Sequence, residues 1–129
     1  MHSHRRKSFC ARVALALVLT AVMAFFALRT SPYLQYIPWL PRSIGVWADH
    51  NGIVRNAAAF FVFALVVYFL LGRGGWQVAV LCLFATGVEV AQLWVRGRVF
   101  DAQDIWASVA GILLAWPIAW ALRSRSVPR

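Results

Sequence analysis

Four long apolar runs, separated by short polar or proline-containing segments, dominate the chain. They cover residues 11–28, 56–71, 76–95 and 105–122. Each is close to the roughly 20 residues that an α-helix needs to cross the hydrocarbon layer of a membrane. None shows the period-two alternation of a membrane β-strand. Because a chain in lipid must satisfy its backbone internally, the pattern predicts an all-α membrane protein with four transmembrane helices.

Composition supports this fold class and argues against soluble ones. Hydrophobic residues make up 62% of the chain and charged residues 13%, against about half and about a quarter in soluble domains. The formal charge of +9 does not indicate a nucleic-acid-binding protein, because the charges flank apolar runs and do not interleave with aromatic residues. Cys10 and Cys82 are expected at different membrane depths, so we predict no disulfide between them.

The distribution of lysine and arginine predicts the orientation. Eight basic residues fall on one side of the predicted helices and five on the other, and the richer side is expected in the cytoplasm. The first set is Arg5, Arg6, Lys7, Arg12, Arg73, Arg123, Arg125 and Arg129, and the second is Arg29, Arg42, Arg55, Arg96 and Arg98. We therefore predict a multi-pass cell-membrane protein with both termini cytoplasmic, tails at residues 1–10 and 123–129, and an extracytoplasmic loop at residues 29–55.

The first apolar run has two interpretations. It follows a short basic segment, as the apolar region of a signal peptide does, but it is longer than the roughly 7 to 15 residues typical of such a region. We therefore expect a retained membrane anchor at residues 11–28.

Polar side chains recur at helical spacing along the last two predicted helices. A short turn at Gly97 would join these helices, the third and the fourth, into an antiparallel hairpin whose polar stripes face each other. Small residues on the fourth helix, Gly111 above all, allow close helix packing. The third-helix stripe is Cys82, Thr86, Glu89, Gln92 and Arg96, and the fourth-helix stripe is Asp101, Asp104, Ser108, Gly111 and Ala115. The predicted functional cluster is Asn56, Glu89, Gln92, Arg98, Asp101, Asp104 and Ser108.

These acids also have structural interpretations. Asp101 is placed to cap the fourth helix, and Asp104 lies three residues further on, as in a capping box. Glu89 has no such role, since it lies inside an apolar run, where an ionisable group costs up to about 2.5–3.5 kcal/mol at the membrane centre. It therefore requires a partner or a wet cavity, which favours a functional site or a specific buried network.

The same residues resemble the signature of the VanZ-like family, small membrane proteins named for a teicoplanin-resistance accessory protein. The similarity extends from Arg55 to Leu122 and would define a three-helix core at residues 56–122. The residues that carry it are Asn56, Phe61, Glu89, Gln92, Gly97, Arg98, Val99, Phe100, Asp101, Asp104 and Gly111. The sequence departs from the family pattern at Ser108, where asparagine is common, and at residues 63–66, where proline and glycine are common. The resemblance implies membership in a cell-envelope family, some members of which lower susceptibility to glycopeptide antibiotics, and it implies no defined reaction.

Three functions compete. In the first, which we favour, a non-catalytic envelope protein uses its outward-facing cluster to bind a lipid head group, a lipid-linked wall precursor or a membrane protein partner, without a cofactor. In the second, a membrane enzyme acts on a lipid-linked phosphate, with Mg²⁺ on Asp101 and Asp104 and Glu89 as general base. In the third, a small proton-coupled exporter uses Glu89 as its membrane acid.

Overall fold

The computed structural model of the protein describes residues 2–29 and 33–124, with side chains described from residue 7 onward. All regular structure in these ranges is helical, which confirms the predicted all-α fold. The helices are α1 (His2–Ala27), α2 (Arg42–His50), α3 (Gly52–Leu71), α4 (Gly75–Ala91) and α5 (Ala102–Ser124), with single 3₁₀ turns at Leu34–Tyr36 and Gln92–Trp94.

Four of these helices are long and apolar enough to cross a membrane, as the sequence predicted. The spans are Lys7–Ala27, Gly52–Leu71, Gly75–Trp94 and Ala102–Ser124. Segment 29–55, predicted as a loop, contains α2 and a 3₁₀ turn, and α3 begins four residues before the apolar run does. We call the end of the bundle that carries residues 33–50 the loop end, and the opposite end, at Gly72–Gly74, the turn end.

The closest helix packing is between α3 and α5. Both run from the loop end to the turn end, and α5 crosses α3 so closely that a Cβ at Gly111 would overlap the carbonyl oxygen of Ala57 and lie 3.0 Å from the nitrogen of Phe61. The sequence interpretation had this small-residue stripe facing α4. At Gly111 the nearest neighbour is α3 instead. The absence of a side chain at this position lets the backbones of α3 and α5 come into contact.

The chain returns from α4 to α5 through a short connection at the loop end. The 3₁₀ turn Gln92–Trp94 ends the third span, and Gly97 then adopts a positive φ of 79°. Residues other than glycine rarely adopt this backbone conformation, which accounts for the glycine between Arg96 and Arg98. After this turn, Arg98 lies near the beginning of α3 and the end of α4.

Helix α1 is attached less tightly than the others. It packs against α3 and makes no comparable contact with α4. Most of its apolar side chains are exposed, as expected for a helix that faces lipid on several sides. The core lies instead among α3, α4 and α5, where Tyr68 is fully buried and donates a hydrogen bond of 3.3 Å to the carbonyl oxygen of Ile112. A seam therefore remains between α1 and α4.

At the turn end, Arg73 ties the α3–α4 connection to α5. Its guanidinium donates to the carbonyl oxygens of Ala119 and Trp120 at 3.3 and 3.4 Å and lies 4.2 Å from the ring centroid of Trp120. The Trp116 indole donates in return to the carbonyl oxygen of Arg73 at 2.9 Å. These contacts hold the last turns of α5 against the α3–α4 connection.

We expect Arg73→Ala to lower the free energy of unfolding by about 1–2 kcal/mol, since it removes a cation–π contact and two charge-assisted hydrogen bonds. The thermal midpoint measured by circular dichroism in detergent tests this. The exposed Arg42, replaced by alanine, is the control and should leave the midpoint unchanged. Equal midpoints for the two variants would contradict a structural role for Arg73.

Candidate functional site

A cavity of about 360 Å³ lies at the loop end, between α1, α3, the end of α4 and the loop that carries the first 3₁₀ turn. Its walls are largely apolar and its polar members are few. The apolar lining is Met23, Phe26, Ala27, Leu34, Ile37, Trp39, Leu40, Ala59, Phe60 and Val88, and the polar lining is Arg55, Asn56, Glu89, Gln92 and Arg98. A cavity with apolar walls and a few convergent polar groups is typical of ligand sites in proteins.

Glu89 and Gln92 form a buried pair on one face of the end of α4. Their side chains are only 4% and 2% exposed. Three residues apart on a helix, they are neighbours, and the Gln92 amide donates to Oε1 of Glu89 at 3.2 Å and to the carbonyl oxygen of Ala27 at 3.3 Å. Gln92 thus links α4 to the end of α1 and fixes the carboxylate. The second carboxylate oxygen, Oε2, is buried and has no protein partner.

Arg98 brings a half-buried guanidinium to the same cavity. Burial lowers the pKa of this arginine, the Glu89 carboxylate opposes that shift, and the charge of Arg55 adds to it. An arginine still stays charged at neutral pH. Its Nε is buried without a partner, and it forms no ion pair within 4 Å of any described carboxylate. The cavity thus holds a carboxylate and a guanidinium that are not directly paired.

The other three predicted residues lie outside the cavity wall. Asp101 is exposed, and its Oδ1 accepts a hydrogen bond of 2.8 Å from the backbone N–H of Gln103, which is the capping role that the sequence allowed. Asp104, half-buried, raises the pKa of Arg98 through its charge. Ser108 is fully buried within the bundle, and its hydroxyl has no partner. Asn56, Glu89, Gln92 and Arg98 thus come together in the lining of the cavity, and the other three predicted residues do not line it.

Sequence reasoning missed Asp49, which organises the loop over the cavity. Its side chain is 8% exposed and lies in α2. Its two oxygens accept hydrogen bonds from the backbone N–H groups of Leu34 and Gln35 at 2.8 and 3.1 Å, and Oδ1 pairs with Arg55 at 3.3 Å. Asp49 is the single acid among residues 29–55, a signal that could have been read.

A second cavity, of about 230 Å³, lies nearer the turn end along the same α1–α3–α4 seam. Phe63 and Phe84 line it and, together with Phe60, form a cluster of ring contacts between the two cavities. Its lining is almost wholly apolar, with Thr20 and Gln77 as the exceptions. No group of three or more His, Cys, Asp or Glu side chains suited to a metal ion occurs among the described residues.

Four helices long and apolar enough to cross a membrane, with a largely apolar cavity that holds a few polar residues at one end of the bundle, fit a multi-pass helical membrane protein. The chain belongs to the VanZ/LLP1 family, whose family model matches residues 3–123. This match confirms the sequence resemblance and extends it beyond residues 55–122 to α1 and the loop. Neither a search of curated proteins nor one of solved structures returned a match.

Proposed function

We propose that the cavity at the loop end binds the polar head group of a lipid or of a lipid-linked wall precursor on the outer face of the cell membrane. The observation that carries the proposal is the buried Glu89 carboxylate, which belongs to an apolar helix long enough to span a membrane, lines the cavity, and has one oxygen, Oε2, without a partner among the described residues. A buried polar atom without a partner costs free energy, and ionisable groups inside membrane spans mark functional sites by default.

The apolar walls favour an amphiphilic ligand over a soluble one. Phe26, exposed at the end of α1, and Trp39, exposed in the loop, form part of the cavity rim. A molecule that keeps its alkyl chains in the bilayer can therefore reach the polar residues without leaving the lipid. A membrane protein partner would have to insert a polar side chain into the cavity to reach the same residues.

The proposal takes both termini as cytoplasmic. The excess of lysine and arginine at the turn end and in the terminal tails supports this orientation, eight residues against five. It puts the cavity beneath the outer head groups, where wall precursors and glycopeptide antibiotics meet. We propose that binding in the cavity changes how far lipids or wall precursors are exposed at this surface, and that this changes susceptibility to teicoplanin.

A susceptibility assay tests the role of Glu89. In a susceptible bacterial host, the wild-type protein should lower teicoplanin susceptibility, and Glu89→Gln should return it to that of the empty vector. The side chain keeps its size but loses the charge that a donor on the ligand would pair with. Membrane accumulation, measured by immunoblot, should stay at the wild-type level, which separates a functional loss from a folding defect.

The matched control is Asp101→Asn. It also removes one negative charge near the loop end, but Asp101 does not line the cavity, and asparagine caps a helix about as well as aspartate does. This variant should protect like the wild type. Equal loss of protection in both variants would show that overall charge, not the cavity, sets the effect.

A further inference from the structure

Two residues that line the cavity each carry a buried polar atom without a partner among the described residues, and the two atoms are of opposite kind. Oε2 of Glu89 is an acceptor, and Nε of Arg98 is a donor. Both residues line the same cavity, yet no ion pair within 4 Å joins them. A ligand that supplies an anionic oxygen to the guanidinium and an N–H or O–H to the carboxylate would satisfy both at once.

We propose that the cavity selects amphiphiles whose head group carries a phosphate followed by a hydroxyl or ammonium donor. The inference rests on the proposed function and names the chemical class of its ligand. The phosphate binds at Arg98, and the donor beyond it binds Oε2 of Glu89. Diacyl lipids with a glycerol or ethanolamine head group, and lipid-linked sugars with a free hydroxyl near the phosphate, share this chemistry.

Gln92 makes the selection possible because it holds the carboxylate in place. Its amide nitrogen donates to Oε1 of Glu89 and to the carbonyl oxygen of Ala27, so Oε2 is the carboxylate oxygen without a partner among the described residues. Gln92 is therefore a positioning residue. A quaternary ammonium such as choline has no N–H to donate, so a choline head group would leave Oε2 unpaired.

The volume and charge of the cavity agree with such a ligand. At about 360 Å³ it lies within the range of about 300–1,000 Å³ found for small-molecule sites. Arg55 pairs with Asp49, so the other charged residues of the lining, Arg98 and Glu89, supply one charge of each sign, and a phosphate diester with a hydroxyl donor can meet both. An ethanolamine head group fits equally, since its ammonium meets the carboxylate and its phosphate the guanidinium.

Four short-chain lipids with the same acyl chains test the head group in parts. Dioctanoylglycerol lacks the phosphate, the phosphatidylcholine has the phosphate without a donor, and the phosphatidylglycerol and phosphatidylethanolamine have both. Each is titrated into purified full-length protein in detergent, and binding is measured by isothermal titration calorimetry. We expect the last two to bind about tenfold tighter than the phosphatidylcholine, from one charge-assisted hydrogen bond, and dioctanoylglycerol to bind weakest.

Variants assign the two contacts. Glu89→Gln should bring the glycerol and ethanolamine lipids down to the affinity of the choline lipid, whose own affinity should not change. Arg98→Gln should weaken all three phospholipids together. Arg96→Gln is its matched control, since this exposed arginine lies two residues away and outside the cavity wall, and it should change none of the affinities.

The wild-type titrations decide the head-group chemistry even if a variant fails to fold. Equal affinity for the choline and glycerol lipids would overturn the proposal, and so would equal affinity for the phospholipids and dioctanoylglycerol. Its failure is distinguishable from that of the proposed function. If Glu89→Gln abolished teicoplanin protection but the wild-type protein showed no head-group preference, only the head-group selection would be contradicted. If the wild-type protein showed the preference but gave no protection, only the role in teicoplanin susceptibility would be contradicted.

Discussion

Replacing Gly111 by alanine is expected to separate α3 from α5 and to lower the free energy of unfolding by about 2–3 kcal/mol, the upper part of the range for overpacked cores. The added Cβ would overlap the carbonyl oxygen of Ala57 and press on the backbone of Phe61. Backbone atoms in a helix cannot rotate away as a side chain can, so the helices must move. The thermal midpoint in detergent and the amount of protein in the membrane both measure the effect.

Gly87→Ala is the control with the opposite expected sign. A Cβ at Gly87, on the exposed face of α4, meets nothing within 4 Å. Alanine is favoured over glycine inside a helix by about 1 kcal/mol, so this variant should match or exceed the wild-type stability. Because both variants make the same chemical change, any difference between them reports on packing alone. If Gly111→Ala were as stable as Gly87→Ala, the close α3–α5 contact would not exist.

Hydropathy was enough to predict the spans but not which helices pack together. The four apolar runs are strong signals because lipid demands continuous apolar helices. The choice of partner for Gly111 was not readable, since a stripe of small residues favours close packing with any neighbouring helix. Sequence adjacency pointed to α4, whereas the structure has α3 at this position. Adjacency is the weaker guide because three spans can all contact one another.

The candidate site was partly readable for the same physical reason. Glu89 stood out because a carboxylate in an apolar run needs an explanation, and helical spacing linked Gln92 to it. Helical spacing also grouped Asp101 and Ser108 with the site, although the structure puts them outside the cavity wall. Spacing identifies the face of a helix on which a residue lies, but not how far that face extends into a cavity.

Asp49 stands out in the sequence as the single acid among residues 29–55, but its role depends on contacts that no local pattern encodes. Its partners Leu34 and Gln35 lie 15 and 14 residues away and contribute only backbone N–H groups, which every residue of that segment except proline possesses. The prolines and aromatic residues of the segment indicated an irregular loop. The structure instead has a folded unit here, in which the Asp49 carboxylate of the short helix α2 accepts hydrogen bonds from the 3₁₀ turn Leu34–Tyr36.

Replacing Asp49 by alanine is expected to release this loop while leaving the four spans intact. The change removes two charge-assisted hydrogen bonds and an ion pair to Arg55, whose side chain is 23% exposed. A loss of about 3 kcal/mol in local stability corresponds to a roughly 100-fold larger equilibrium constant for opening of the loop, since each 1.4 kcal/mol is a factor of ten. Hydrogen–deuterium exchange should show this at the amides of Leu34 and Gln35, with the amides of α3 and α5 unchanged.

Asp101→Ala is the control, because it also deletes an acid that accepts a backbone hydrogen bond at the loop end. It should accelerate exchange in the first turn of α5 and not at Leu34 or Gln35. The loop contributes Ile37, Trp39 and Leu40 to the cavity wall. Asp49→Ala should therefore also lower the affinity for every ligand of the cavity, without changing the order of head-group preference. Unchanged exchange at Leu34 and Gln35 would mean that something other than this carboxylate holds the loop over Glu89.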